Sequence, residues 1–246
     1  MCTVTILPDV ILSAAPSGGN DRLHLRVGFN RDELVTRAPA LPPATWTVGT
    51  RRAVMPIDPD SGGTWIGAND AGLVCALLNV NDGTPASTAP LSRGSIIPSL
   101  LGCDDGVAAF ARARALPPER YHPFRLLIVD GHELIECWTE GGRLEHRDEP
   151  LRVAVMRTSS ALGDTVVAGP RAALFRTFLD NASDPVAATD LFHLHQWRGR
   201  EAVSVRMRRP DARTVSYTFV EVRDRSVSLV YRPADAPDRV LVTVAA

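Results

Sequence analysis

The chain contains no lysine: all 27 of its Lys-plus-Arg positions are arginine. That absence removes a Walker A lysine, a Schiff-base lysine and a lysine general base. P-loop nucleotide triphosphatases and pyridoxal enzymes go with them. There is no run of about 18 apolar residues, so no membrane span is expected. The net charge is −1, too small to supply the basic field that nucleic-acid binding needs. Cysteine is scarce, with Cys2, Cys75, Cys103 and Cys137 scattered and no C-x-x-C pair. This argues against a disulfide framework and for a reducing, cytoplasmic setting. The six histidines show no zinc spacing and no H-E-x-x-H, and there is no G-x-S-x-G elbow. Asp58-Pro59-Asp60 starts like a calcium loop but lacks the closing Glu. No metal and no cofactor are therefore expected.

What is present suffices for one sizeable core: 246 residues, 45% of them hydrophobic. A single domain over 1–246 is the simplest expectation. Alternation predicts strands at 2–7 and 23–29, with a hairpin loop over 13–21. The Pro- and Gly-rich stretch 37–63 reads as a surface meander. Strands are expected at 64–67 and 72–80, around an Asn69-Asp70 turn. Helices are expected at 95–103 and 105–116, the second capped by Asp104 or Asp105. A hairpin across Asp130-Gly131 joins 124–129 to 133–138, and a further strand covers 151–157. Helices follow at 171–179 and 185–197, with Asp184 as N-cap and Pro185 in the first helical position. Strands at 203–208, 215–222, 226–231 and 239–244 close the chain. Antiparallel groups with helix pairs between them predict helices layered outside antiparallel sheets.

Cys2 directly follows Met1. Methionine aminopeptidases cleave before small side chains, and removal of Met1 would give one residue a thiol and a free α-amine, a nucleophile with its own base. Without that chemistry Cys2 is a small apolar residue on a first strand. No Lys or Arg precedes Arg22, and Pro8 and Asp9 interrupt the apolar start. Both argue against a secretory leader, which would also discard Cys2. The second strand runs into Asn30-Arg31-Asp32-Glu33. There Asp32 is placed to accept from the Cys2 amine and Arg31 to stabilise a thiolate. Gly62-Gly63-Thr64-Trp65-Ile66-Gly67 is no phosphate loop, because it opens no helix. It suggests a tight backbone approach beneath a site. Asn79, at a strand end, suits an oxyanion donor or, equally, a turn cap.

Together these motifs resemble the NRDE, or transport and Golgi organisation protein 2, family over nearly the whole chain. The resemblance is carried by Met1-Cys2, Asn30 to Glu33, Gly62 to Gly67 and Asn79. Ser92-Arg93-Gly94, Tyr121 to Phe124 and Thr214 to Thr218 extend it. It implies an α+β fold, a four-layer αββα sandwich of the N-terminal-nucleophile hydrolase type. It also implies distant kinship with choloylglycine hydrolases and penicillin V acylases, which cleave amides with an N-terminal Cys. Their Arg, Asp and oxyanion Asn match Arg31, Asp32 and Asn79. Ser159 stands where the family often has Asn, and Arg171 or Arg176 stands where a further arginine is expected. The expected catalytic set is thus Cys2, Arg31, Asp32 and Asn79, with Asn30, Trp65, Ser159 and Arg171 binding substrate. The expected activity is an amidohydrolase for a small molecule with a non-peptide C–N bond. The family's eukaryotic roles imply a rival, a non-catalytic carrier of haem or a hydrophobic acyl ligand.

Overall fold

The computed structural model describes residues 2–12, 21–81, 91–131, 133–180, 182–236 and 239–246. The loop expected over 13–21 lies outside them but for its last residue. β1 (Cys2–Pro8), a short helix α1 (Asp9–Leu12) and β2 (Leu23–Leu34) begin the chain. β3 (Leu41–Val48), β4 (Arg51–Ile57), β5 (Ile66–Asn69) and β6 (Leu73–Asn79) follow. Next come α2 (Ile96–Leu100) and α3 (Gly106–Arg114). After them lie β7 (Phe124–Asp130), β8 (Glu133–Glu140), β9 (Arg143–Pro150) and β10 (Val155–Ser159). The helices α4 (Asp164–Asp180) and α5 (Pro185–Leu194) precede β11 (Ala212–Arg223), β12 (Ser226–Pro233) and β13 (Val240–Ala245).

Among the described residues the strands form two antiparallel sheets. One is ordered β10-β1-β2-β11-β12-β13 and the other β3-β4-β5-β6-β7-β8-β9. Strand alternation makes the layers. Val4, Ile6, Val27 and Phe29 of the first sheet meet Val54, Ile66, Ala76 and Leu127 of the second in one core. The other face of the second sheet, with Cys75, Leu77, Ile128 and Cys137, packs against Ile96, Leu100 and Ala109 of α2 and α3. The other face of the first sheet is covered by α4 and α5, where Phe175 and Phe192 pack together. This is the αββα sandwich. An ion cluster bridges the sheets: buried Glu136 on β8 meets Arg147 on β9 at 2.6 Å and Arg157 on β10 at 2.9 Å.

Local signals account for most elements. Asp105 caps α3 through Ala108 N at 2.7 Å. Asp184 caps α5 through Val186 N and Ala187 N, with Pro185 in the first turn. Two expectations need correction, and one strand was not expected. Residues 37–63 are not only a meander, because they carry β3 and β4. Pro42 and Pro43 are tolerated because β3 is a sheet edge, where a missing N–H breaks no ladder. Residues 203–208 form no strand. Their carbonyls instead accept from buried side chains: Arg171 takes Val203 O and Ser204 O, and Asn30 takes Val205 O. β9, Arg-Leu-Glu-His-Arg-Asp-Glu-Pro, escapes a hydrophobicity-based reading because it is a charged edge strand, the form that discourages edge-to-edge pairing.

Candidate active site

Cys2 opens β1 between two neighbours, its Cα paired with Ser159 on β10 and with Arg31 on β2. Alternation turns the side chains of Cys2 and Arg31 toward the space between the sheets, and Asn30 and Asp32 toward the helices. At this end of the sandwich lies a cleft of about 260 Å³. Cys2, Arg31, Asp32, Trp65, Asn79 and Arg93 are among its lining residues. Of the eight expected site residues, Cys2, Arg31, Asp32, Asn79 and Trp65 therefore meet at one place.

Asp32 is buried. Its Oδ1 accepts from Thr214 Oγ1 at 2.5 Å, while Oδ2 has no partner among the described residues. A bulge in the pairing of β11 with β2, between Thr214 and Ser216, lies beside it. Burial raises the Asp32 carboxyl from its ordinary range to about 6, opposed by the positive chain terminus, Arg171 and the Thr214 hydroxyl. Burial likewise pushes the Cys2 thiol up, against the chain terminus and Arg31. At rest Cys2 is therefore a neutral thiol.

Arg31 is held from three sides. It makes a short ion pair with Asp58, reaches Glu33 at 3.3 Å and stacks 4.3 Å from the Trp65 ring. Asp58, which began like a calcium ligand, instead accepts from Arg31 and Arg37. Its carboxyl is held below its ordinary value; burial, the largest influence, is outweighed by these two guanidiniums. The indole N–H of Trp65 is buried with no partner among the described residues. The glycine-rich segment does make a tight approach: a Cβ on Gly63 would lie 2.3 Å from Gly94 C. Thr64 N donates to Gly94 O at 3.0 Å across the same seam.

Three expected substrate-binding residues do not line the cleft. Asn30 is fully buried and spends its amide on His193 O (2.8 Å) and Val205 O (3.1 Å). Its Oδ1 meets His193 Nδ1 at 3.1 Å. Arg171 is 0% exposed. It donates to Thr3 Oγ1 and Thr158 Oγ1 at 2.8 and 2.6 Å. Thr158 Oγ1 in turn donates to Cys2 O at 3.0 Å. Arg171 thus holds the Cys2 backbone through Thr158 rather than lining the cleft. Ser159 is buried beside Cys2, its Oγ without a partner among the described residues.

Sequence reasoning gave Arg37, Asp58 and Thr214 no role at this site: Asp58 lies 27 residues from Arg31 and Thr214 lies 182 from Asp32, while Arg37 is only four residues past Glu33. His193 has no signature in the sequence beyond being one of the six histidines. It is buried, donates or accepts at Thr5 Oγ1 (2.7 Å) and stacks on Tyr217 at 4.5 Å. Burial holds it well below its ordinary pKa, so it is neutral. A second cavity, of about 350 Å³, shares Arg31, Glu33 and Arg37 with the first and adds Leu34, Val35, Val215 and Tyr231. Among the described residues no group of His, Cys, Asp and Glu is arranged to hold a metal. No helix there is long and apolar enough to cross a membrane.

The family model described as Transport and Golgi organisation 2 matches residues 12–182. No curated protein matches the chain. Among solved structures, a mutant conjugated bile acid hydrolase from Clostridium perfringens is similar with a TM-score of 0.58 and 13% identity. That match covers 98% of this chain and 92% of the other. An N-acylethanolamine-hydrolyzing acid amidase orthologue from Caenorhabditis elegans gives 0.58 and 11%, over 89% and 92% of the two chains. At such identities the likeness is one of fold, the N-terminal-nucleophile hydrolase sandwich.

Proposed function

The chain belongs to the Transport and Golgi organisation 2 family, and from that premise we propose that it is an N-terminal-cysteine amidohydrolase for a non-peptide C–N bond. The observation that carries the reading is a buried carboxylate in the cleft that Cys2 lines, with one oxygen, Asp32 Oδ2, unpartnered among the described residues. A buried, half-satisfied carboxylate is costly unless a cation completes it. The α-amine that Cys2 gains when Met1 is removed would donate to Asp32 at rest and become such a cation once it takes the thiol proton.

In this mechanism the Cys2 Sγ attacks the amide carbonyl, and the α-amine takes the thiol proton. The C–S bond forms and the carbonyl oxygen becomes an oxyanion that accepts from the Asn79 amide N–H and from the Trp65 indole N–H, which has no partner among the described residues. The α-ammonium returns its proton to the leaving nitrogen as the C–N bond breaks. Water then attacks the thioester and regenerates the thiol. Arg31, pinned by Asp58, lowers the cost of thiolate character.

The test is the intact mass of the purified protein, followed by limiting alkylation and mapping of the labelled cysteine. Loss of Met1 with labelling of Cys2 ahead of Cys75, Cys103 and Cys137 is expected, since burial raises Cys75 and pushes Cys137 up to about 12. A retained Met1 leaves Cys2 without an α-amine and sinks the mechanism. Asn79→Ala should lower amide turnover about 10²- to 10³-fold with the melting temperature little changed. Wild-type turnover in that folded variant removes Asn79 from the oxyanion site.

The chain retaining Met1 should also reveal Asp32 through its pH dependence. Its folded-state pKa, about 6, lies above the ordinary 3.8. The folded state keeps this proton where the unfolded state has released it. The contribution to stability is therefore full below pH 3.8 and lost as pH rises through 6. A shift of that size corresponds to about 3 kcal/mol. Asp32→Asn should accordingly gain up to about 3 kcal/mol on wild type between pH 4 and pH 7 in urea unfolding. A pH-independent difference would show that Asp32 ionises freely.

The second cavity favours one other reading, carriage of a hydrophobic acyl ligand without turnover. Ligand binding that survives Cys2→Ala, with no amide cleaved by wild type, selects it.

A further inference from the structure

Three arginines line the cleft, and two of them are neutralised. Arg31 meets Asp58 and Glu33. Arg37 meets Asp58 at 3.0 Å, Asp60 at 3.5 Å and Glu33 at 3.7 Å. Arg93 is different. Its Nη1 donates to Pro123 O at 2.8 Å, and no carboxylate among the described residues forms an ion pair with it. It nonetheless sits half-buried in the cleft that holds Cys2 and Asn79.

The backbone around Arg93 is fixed. Ser92 Oγ accepts from Gly94 N at 3.3 Å, and Ser95 N donates to Ser92 O at 3.1 Å. The Gly63–Gly94 approach then locks this turn to the segment that carries Trp65. A guanidinium offers five N–H donors in a planar fork. One is committed to Pro123, which orients the rest.

We propose that Arg93 is the anion anchor of this cleft, and that the substrate is an amide carrying a carboxylate near the scissile bond. The inference rests on the amidohydrolase reading and sharpens it. A bidentate carboxylate would pair directly with a partly desolvated cation that makes no ion pair among the described residues. Burial, the largest influence, holds the Arg93 pKa below its ordinary value, aided by Arg37, while Cys2 and Glu33 at longer range pull it back up only in part, so the charge is already under desolvation cost. A neutral amide would leave that cost in place.

The experiment uses acetyl-, octanoyl- and benzoylglycine together with their neutral carboxamides. Binding is measured by calorimetry on the Cys2→Ala protein, which removes turnover from the comparison. At least one carboxylate should bind about 10- to 100-fold more tightly than its carboxamide. Arg93→Gln should erase the difference, Arg93→Lys should keep part of it, and added salt should shrink it. A melting curve for each variant confirms folding. Equal affinity within every pair, no binding by any carboxylate, or a preference that survives Arg93→Gln overturns the proposal. The same panel with wild type separates the two claims. Turnover of carboxamides without anion preference keeps the hydrolase and discards the anchor. Anion-selective binding with no turnover keeps the anchor and discards the hydrolase.

Discussion

Replacing Cys2 by Ala should reduce amide turnover by about 10⁴-fold or more in a protein that still folds. Removing a covalent nucleophile eliminates the acyl-enzyme route and leaves only the binding and oxyanion contributions of the cleft. The side chain is small and sits at the rim, 8% exposed, so the loss of one sulfur creates little cavity. Ala is also small enough for Met1 to be removed, which separates loss of the thiol from loss of processing. Cys2→Ser should be nearly as poor, because a hydroxyl is far harder to deprotonate than a thiol. The measurement pairs steady-state rates with intact mass during turnover of a slow amide. Wild type should accumulate a thioester adduct on Cys2 and the Ala variant none. Turnover within tenfold of wild type in Cys2→Ala would rule out the nucleophile.

Arg171→Leu should cost about 3–5 kcal/mol of folding stability. The guanidinium is wholly buried and serves two hydroxyls and two backbone carbonyls: Thr3, Thr158, Val203 and Ser204. Leu removes every donor at once, leaving Val203 O and Ser204 O without these partners in the interior and Thr3 and Thr158 with only each other, at 3.2 Å, and Cys2 O. The damage extends to the cleft. Thr158, which holds Cys2 O, loses its anchor, and the Arg171 charge that lowers the Asp32 pKa disappears. The Asp32 pKa should therefore rise further in the variant. Arg171→Lys should recover only part of the stability, since a single ammonium cannot span four acceptors. Urea unfolding of the three proteins checks this, and a loss under about 1 kcal/mol for Leu would contradict it.

Arg171 also marks the limit of sequence reading here. The resemblance placed an arginine on this helix and left Arg171 and Arg176 open. It read the residue as a substrate contact, whereas its burial makes it a support for the Cys2 backbone. Asn30 shows the same limit. Its position beside Arg31 suggests the cleft, but the period of two in β2 turns it to the opposite face, against α5.

Local chemistry was legible wherever one segment is enough to determine it. The alternation of β1 and β2 and the Asp105 and Asp184 caps belong to this class. The same holds for the close backbone approach that Gly63 permits. The meeting of Cys2, Arg31, Asp32 and Asn79, by contrast, was expected from the family resemblance. What only the tertiary structure decided depends on groups brought together from far along the chain. Asp58 neutralises Arg31 across 27 residues, Thr214 holds Asp32 across 182, and Gly94 receives Gly63. Arg93 is left as the cleft's cation without a carboxylate among the described residues. Whether a charge is paired depends on three-dimensional distance and on exclusion of water, and neither quantity has a signature in a one-dimensional string of residues.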